Sequence, residues 1–137
     1  MSGGRRRARV IALQVLYEVD SAGHDIESVL NRVMVDVEVS EELNSFIRSL
    51  VKGVVDNKVE IDRKIRSFAR AWPVEQLSIV DRNILRLAIH EILLDNKVPV
   101  KVAINEAVEL AKIFGSDNSS KFINGVLSAV ALSRAGN

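Results

Sequence analysis

The sequence predicts an all-α protein of about seven helices, arranged as two small helical subdomains that share one core. Apolar residues recur at intervals of three and four rather than alternating, which is the periodicity of amphipathic helices. Only 2 prolines and 7 glycines occur among 137 residues, so few positions interrupt a helix. A chain of this length can bury one sizeable core without covalent cross-links.

The first two helices are predicted in the N-terminal third. The first runs from about Arg5 to Asp20, where apolar residues fill a broad arc, and Gly23 is suited to end it. The second covers about 26–37, and Asp25 is suited to cap its first turn.

A third helical pattern runs from residue 40 to residue 68, with an interruption at Asp56 and Asn57. A kink and a loop explain this interruption equally well. Trp72 precedes Pro73, and because proline disfavours the helical conformation of the preceding residue, we expect a boundary here. We therefore place the two subdomains at about 1–72 and 73–132.

The segment 79–94 is apolar on most faces, which is typical of a helix surrounded by others, and we expect it to be central. A turn around Pro99 leads to a sixth pattern that Gly115 ends. The last helix contains Gly125, whose presence in a helix suggests close approach of a neighbouring element. A flexible tail is expected at 133–137.

The composition excludes several function classes. Without cysteine there is no disulfide, thiolate nucleophile or zinc ribbon, and the two histidines are too far apart for a local metal motif. No apolar stretch approaches the length of a membrane-spanning helix, and no signal-peptide pattern precedes the first helix. We expect a soluble cytoplasmic protein.

Positive charge is concentrated at the N-terminus. Arginines occupy positions 5, 6, 7 and 9, and without their charge of +4 the net charge of +1 becomes −3. Such a cluster can anchor phosphates through bidentate hydrogen bonds and counterion release. The alternative is a solvated terminus whose charges only aid solubility.

Three of the six aromatic residues lie near basic or polar segments: Tyr17 on the first helix, and Phe114 and Phe122 on either side of the polar turn 115–121. Aromatic faces beside cations can stack on unpaired bases, although most aromatics at helical spacing belong to a core. The turn, which includes Asn118, can bind an anion or simply cap a helix.

An enzymatic function has little support. No nucleophile elbow or phosphate-binding glycine loop is present. Glu106 and Glu109 are interpreted as one solvated helix face, and His90 as a hydrogen-bonded core residue rather than a base.

The stretch from Val98 to Lys112, followed by Phe114 and Gly115, resembles the signature of the NusB family. The segment 121–127 (KFINGVL) resembles the family's second signature, and 5–9 (RRRAR) resembles its N-terminal arginine motif. The segment 81–87 (DRNILRL), together with Glu91 and Ile92, resembles its central helix. The resemblance covers roughly Arg5 to Leu132.

This resemblance implies a non-catalytic factor in transcription antitermination. It would pair with the ribosomal protein NusE, bind boxA RNA of rRNA operon leaders and help to assemble the antitermination complex on RNA polymerase. No cofactor or metal is implied. By resemblance the NusE contact involves Asp81, and the RNA-binding residues are Arg5, Arg6, Arg7, Arg9, Tyr17, Asn118, Lys121 and Phe122.

One residue departs from the family pattern, and two alternatives stay open. Asn118 stands where family members often carry aspartate, which removes a negative charge beside RNA phosphates. Some RNA methyltransferases carry a NusB-like RNA-recruiting domain, but no nucleotide site or catalytic cysteine follows here. A homodimeric scaffold that hides the arginine surface is the other alternative.

Overall fold

The computed structural model describes residues 2–71, 73–95 and 97–135, so Trp72, at the expected boundary, lies outside the described residues. Within these ranges the chain is all-α, as predicted, and contains no strand. No helix in them combines the length and hydropathy needed to cross a membrane. The helices are α1 (Ser2–Ala22), α2 (Ile26–Val35), α3 (Glu41–Asp56), α4 (Lys58–Phe68), α5 (Ile79–Ile89), α6 (Val100–Phe114) and α7 (Ser119–Ala135). A 3₁₀ turn (Val74–Gln76) precedes α5, and a π-helical segment (His90–Asp95) continues it.

Side-chain caps fix several helix starts. The Asp25 carboxylate accepts a hydrogen bond from the Ser28 N–H at 3.1 Å, as the sequence predicted. The Ser40 hydroxyl accepts one from the Leu43 N–H at 3.2 Å. Gly23, which follows α1, has a φ of 70°, a conformation that glycine adopts without strain.

The structure decides one helix boundary that the sequence left open and moves two others from their expected positions. Asn57 alone separates α3 from α4, and its side-chain amide donates to the Gly53 carbonyl at 2.8 Å. The sixth helix begins at Val100, before the apolar pattern starts, because Pro99 supplies its first carbonyl acceptor. The seventh helix continues to Ala135 and so includes residues 133–135 of the expected flexible tail, whose flexibility stays a prediction, while 136–137 lie outside the described residues.

Helix α5 is the central helix, as predicted. It packs against α1, α3, α4, α6 and α7. Every residue from Asn83 to Ile92 is buried, which explains why this segment is apolar on most faces. One apolar cluster contains side chains from all seven helices, so the core is continuous. The division into subdomains 1–72 and 73–132 stays a prediction.

A buried ionic network joins α1, α4 and α5. Arg86 donates two hydrogen bonds to Asp62 at 2.8 and 3.0 Å, and a third to Asp20 at 3.0 Å. Arg82 donates twice to Asp20, at 2.8 Å each, and Asn83 donates once at 2.9 Å. The hydrogen bonds from Arg82 hold the pKa of the Asp20 carboxyl well below its ordinary value. These pairings fix the C-terminal half of α1 against the central helix.

Close approach of two helices occurs at Gly53, not at Gly125. A Cβ on Gly125 would meet no atom of a neighbouring element within 4 Å, so the sequence interpretation of this glycine is wrong. A Cβ on Gly53 would lie 2.2 Å from the His90 ring. His90 is a buried residue, as predicted, but its Nδ1 has no hydrogen-bond partner among the described residues. The expectation of a hydrogen-bonded histidine is therefore wrong for this nitrogen.

Candidate nucleic-acid interface

The N-terminal arginines lie on the first turns of α1, and they differ in how far they reach solvent. Arg7 is exposed, and its Nη1 donates to the Glu38 carbonyl at 2.8 Å. The Arg5 guanidinium lies over the Phe46 ring, 4.4 Å from its centroid, and Arg5 is half-buried. This cation–π contact holds Arg5 against α3.

Arg6 forms an ion pair with Glu106 on α6. Its Nε and Nη2 donate to the two carboxylate oxygens at 3.1 and 2.7 Å. The Arg6 side chain is 49% exposed, whereas that of Glu106 is only 12% exposed. Hydrogen bonding from Arg6 holds the pKa of the Glu106 carboxyl below its ordinary value. Glu106 is therefore a half-buried partner of the arginine cluster, and its interpretation as part of a solvated face is wrong.

Arg9 occupies a different environment from the other three arginines. It is 4% exposed, and its Nε and Nη2 donate to the Glu91 carboxylate at 2.9 and 2.8 Å. Its Nη1 also lies 3.7 Å from Glu106. The resemblance placed Arg9 on the RNA-binding surface. Glu91, a buried acid on the π-helical continuation of α5, occupies the Nε and Nη2 of Arg9 and so holds α1 in place. A contact of Arg9 with RNA stays a prediction.

Two exposed aromatic side chains line a cavity of about 440 Å³. Tyr17 on α1 is 43% exposed and Phe114 at the end of α6 is 40% exposed. Leu13 and Val80 supply apolar wall, and Gln14 contributes an amide that can donate and accept hydrogen bonds. The sequence singled out both aromatics, and the structure brings them together across α1, α5 and α6.

The polar turn before α7 both stabilises the local fold and presents side chains. The Ser116 N–H donates to the buried Ser119 hydroxyl at 2.9 Å, so this serine serves the turn itself. Asn118 and Lys121 are exposed, and their side chains form no hydrogen bond or ion pair with the described residues. Phe122 is half-buried against the core. Capping therefore explains part of this turn and leaves an amide and an ammonium group facing solvent.

Asp81, at the start of α5, lines a second cavity of about 260 Å³ together with Asn118 and Phe122. The Ser78 hydroxyl accepts a hydrogen bond from the Asp81 N–H at 3.0 Å, which caps the helix. The Asp81 Oδ1 is buried and has no hydrogen-bond partner among the described residues. Val80 lines the first cavity and Asp81 the second, so the two cavities flank the same end of α5.

The geometry thus groups Tyr17, Asp81, Asn118 and Phe122 around the start of α5. The arginines form a separate group at the start of α1, where they contact Phe46, Glu38, Glu91 and Glu106. A sequence model of the NusB family matches residues 6–132. This chain belongs to the NusB family. The transcription antitermination protein NusB of Dehalococcoides mccartyi is 57% identical over 131 residues, covering 96% of this chain and 92% of that protein. The NusB of Bacillus mycoides is 48% identical, covering 92% of this chain and 95% of that protein.

Solved NusB structures share the fold. T. maritima NusB superposes with a TM-score of 0.85 and 34% identity, covering 93% of this chain and 89% of that chain. A chain in the crystal structure of antitermination factors NusB and NusE in complex with dsRNA superposes with a TM-score of 0.86 and 27% identity. That superposition covers 97% of this chain and 99% of the other.

Sequence reasoning missed the acids that organise the NusB-type arginine motif. Glu91 and Glu106 lie 82 and 100 residues away from the arginines they bind. Glu91 did carry a signal, because a carboxylate buried in the largely apolar segment 79–94 requires a cationic partner. Phe46, which lies under Arg5 and Arg9, carried none, since its spacing is that of an ordinary core residue.

Proposed function

We propose that this chain acts in transcription antitermination by binding boxA RNA of rRNA operon leaders together with NusE. It helps to assemble the antitermination complex on RNA polymerase, acts in the cytoplasm and has no catalysis of its own. The observation that carries the proposal is the placement of exposed arginines and an exposed tyrosine on the same helix, α1. Membership of a family whose curated relatives are named transcription antitermination proteins supports it.

The phosphate-binding part of the surface consists of Arg5, Arg6, Arg7 and Lys121. Arg6, Arg7 and Lys121 are exposed, and Arg5 is half-buried with its guanidinium over the Phe46 ring. Contacts of this kind position an RNA backbone without reading its sequence. Arg9 contributes indirectly, because its buried pair with Glu91 orients the turns of α1 that carry the other arginines.

The base-reading part consists of Tyr17, Phe122 and Asn118, with Phe114 beside Tyr17. Aromatic faces stack on unpaired bases, and a stacked base is worth about 1–3 kcal/mol by alanine substitution. The cavity between Tyr17 and Phe114, about 440 Å³, is large enough to admit a base. The exposed Asn118 amide can donate to and accept from a base edge.

We propose that the partner contact involves Asp81. Its buried Oδ1, which has no partner among the residues that the structure describes, lies beside the second cavity and suits a hydrogen-bond donor from a protein partner, because an unsatisfied buried carboxylate oxygen is costly. NusE is the partner we propose. The RNA and NusE contacts would then adjoin at the turn before α7, since Asn118 and Phe122 line the same cavity as Asp81.

Single substitutions on the surface test this assignment. Arg7→Ala should weaken binding of boxA RNA and reduce its salt dependence, because one phosphate contact is lost. Tyr17→Ala should weaken binding at every salt concentration, whereas Tyr17→Phe, which keeps the ring, should retain most of the affinity. Arg63→Ala is the control, since Arg63 is an exposed arginine on α4, outside the proposed surface. If Arg63→Ala weakens binding as much as Arg7→Ala does, the surface is misassigned.

A further inference from the structure

Glu106 occupies the donor groups of Arg6 that a phosphate would use. A guanidinium presents Nε–H and Nη2–H as a planar fork that fits carboxylate and phosphate oxygens in the same bidentate way. In this structure the fork is closed on both Glu106 oxygens, at 3.1 and 2.7 Å. Arg6 cannot donate this pair of hydrogen bonds to the carboxylate and to a phosphate at the same time.

The surroundings of the pair show which partner can move. Glu106 lies mostly beneath the surface at 12% exposure, and the Nη1 of the buried Arg9 is 3.7 Å from it. The Arg6 side chain is 49% exposed. If Arg6 turns outward, Glu106 keeps a cationic neighbour in Arg9, which Glu91 holds in place. The exposed arginine is therefore the movable partner and the acid is the fixed one.

We propose that Glu106 is an affinity-setting residue that holds Arg6 in the absence of RNA and competes with an RNA phosphate for its guanidinium. This inference rests on the proposed RNA-binding function. RNA binding then includes an exchange of carboxylate for phosphate at Arg6. The exchange reduces the binding free energy gained from the contact of Arg6 with a phosphate. The reduction applies to any polyanion, because a phosphate contact carries no sequence information.

The direct test is Glu106→Gln, which keeps the size of the side chain and removes its charge. Affinity for a fluorescent single-stranded boxA RNA at low salt should rise about two- to fivefold, the range that corresponds to an exposed ion pair. The slope of log affinity against log salt should change by less than about 0.7, the value for one phosphate contact on a single strand, because Arg6 contacts a phosphate in both complexes. A scrambled RNA should gain by a similar factor.

The matched control is Glu109→Gln, which removes the same charge from the same helix. Glu109 forms an ion pair with Lys112 at 3.1 Å and no hydrogen bond with Arg6. Glu109→Gln lowers the negative charge near the arginine cluster without releasing a guanidinium, so its gain in RNA affinity should be clearly smaller than that of Glu106→Gln. Equal gains from the two variants would overturn the competition and leave only a general field effect.

A double-mutant cycle isolates the contact. In an Arg6→Ala background, Glu106→Gln should no longer raise the affinity, because the competing guanidinium is absent. A gain that persists in that background, or a Glu106→Gln variant that binds RNA no better than the native chain, would overturn the inference. Should Glu106→Gln disturb the fold, Glu106→Asp retains the charge near Arg9 but shortens the reach to Arg6, and a gain is expected there too. If the native chain binds no RNA, the proposed function fails, which is a separate outcome.

Discussion

Arg9 and Glu91 form a buried ion pair with two hydrogen bonds, Nε to Oε2 at 2.9 Å and Nη2 to Oε1 at 2.8 Å. The pair joins the start of α1 to the π-helical continuation of the central helix α5. Both side chains are buried, with an exposure of 5% for Arg9 and 3% for Glu91. The arginines proposed to contact RNA thus lie on a helix segment that this buried ion pair holds against the core.

Glu91→Ala should lower the free energy of unfolding by about 3 kcal/mol, because it leaves the Arg9 charge buried without its main partner. The value is at the low end of the range for broken buried pairs, since Glu106 at 3.7 Å still neutralises part of the charge. Urea denaturation followed by circular dichroism measures it. The exposed acid Glu41 at the start of α3 offers a control, and Glu41→Ala should cost less than about 1 kcal/mol. Equal stabilities of the two variants would contradict a structural role for the pair.

His90 should make the fold less stable in mild acid. Burial lowers the pKa of its imidazole from the ordinary 6.5, and this effect outweighs the nearby charges of Asp95 and Glu91. The neutral form stabilises the fold fully above about pH 6.5, and this contribution is lost as pH falls from there through the lowered pKa, because the unfolded chain takes up a proton first. The free energy of unfolding should therefore decline as pH is lowered from about 7.5 to about 5.5, and that of His90→Gln should decline less. The same decline in the native chain and in His90→Gln would show that His90 does not cause the loss of stability in acid.

Gly53→Ala should destabilise the protein, although alanine is the better helix former. The new Cβ would lie 2.2 Å from the buried His90 ring, and overpacking of a core costs about 1–3 kcal/mol. The helix propensity of alanine recovers about 1 kcal/mol of this. Thermal unfolding of Gly53→Ala, His90→Ala and the double variant gives the coupling free energy between the two positions. In the His90→Ala background the glycine substitution should become neutral or stabilising, and an unchanged cost would show that the ring is not the obstacle.

Asn118→Asp should weaken RNA binding, more so at low salt, because it adds a negative charge to an exposed position of the proposed RNA surface. The measurement is the dissociation constant for boxA RNA at two salt concentrations. Asn31→Asp, at an exposed position on α2, places the same charge outside the surface and should have little effect. An affinity for Asn118→Asp that is unchanged or tighter would sink the idea that the asparagine favours RNA.

The sequence predicted the helices well because each depends on local information. Apolar spacing located the central helix, Asp25 marked a cap and Gly23 marked an end, and all three are observed. Pairing between distant helices is not local. Periodicity shows which face of a helix is apolar, but it does not show which residue on another helix that face meets.

The acids that pair with the arginine cluster illustrate this limit. Nothing in the spacing of Arg6 or Arg9 indicates that Glu106 and Glu91 are their partners, and the four arginines therefore looked equivalent. The structure separates them, since Arg9 is buried, Arg6 is paired and Arg7 remains exposed. Gly53 is a similar case, because only the position of α5 reveals the His90 ring beside it.

The central claim, that the chain and NusE together recognise boxA RNA, is tested most directly by fluorescence anisotropy with boxA RNA and a scrambled RNA of the same length. Each RNA is titrated with the chain alone and with the chain plus NusE, at two salt concentrations. We expect a preference for boxA that increases when NusE is added, and binding that weakens as salt rises. Equal and weak binding of both RNAs, with and without NusE, would contradict the account and reduce the arginine cluster to a nonspecific polyanion-binding segment.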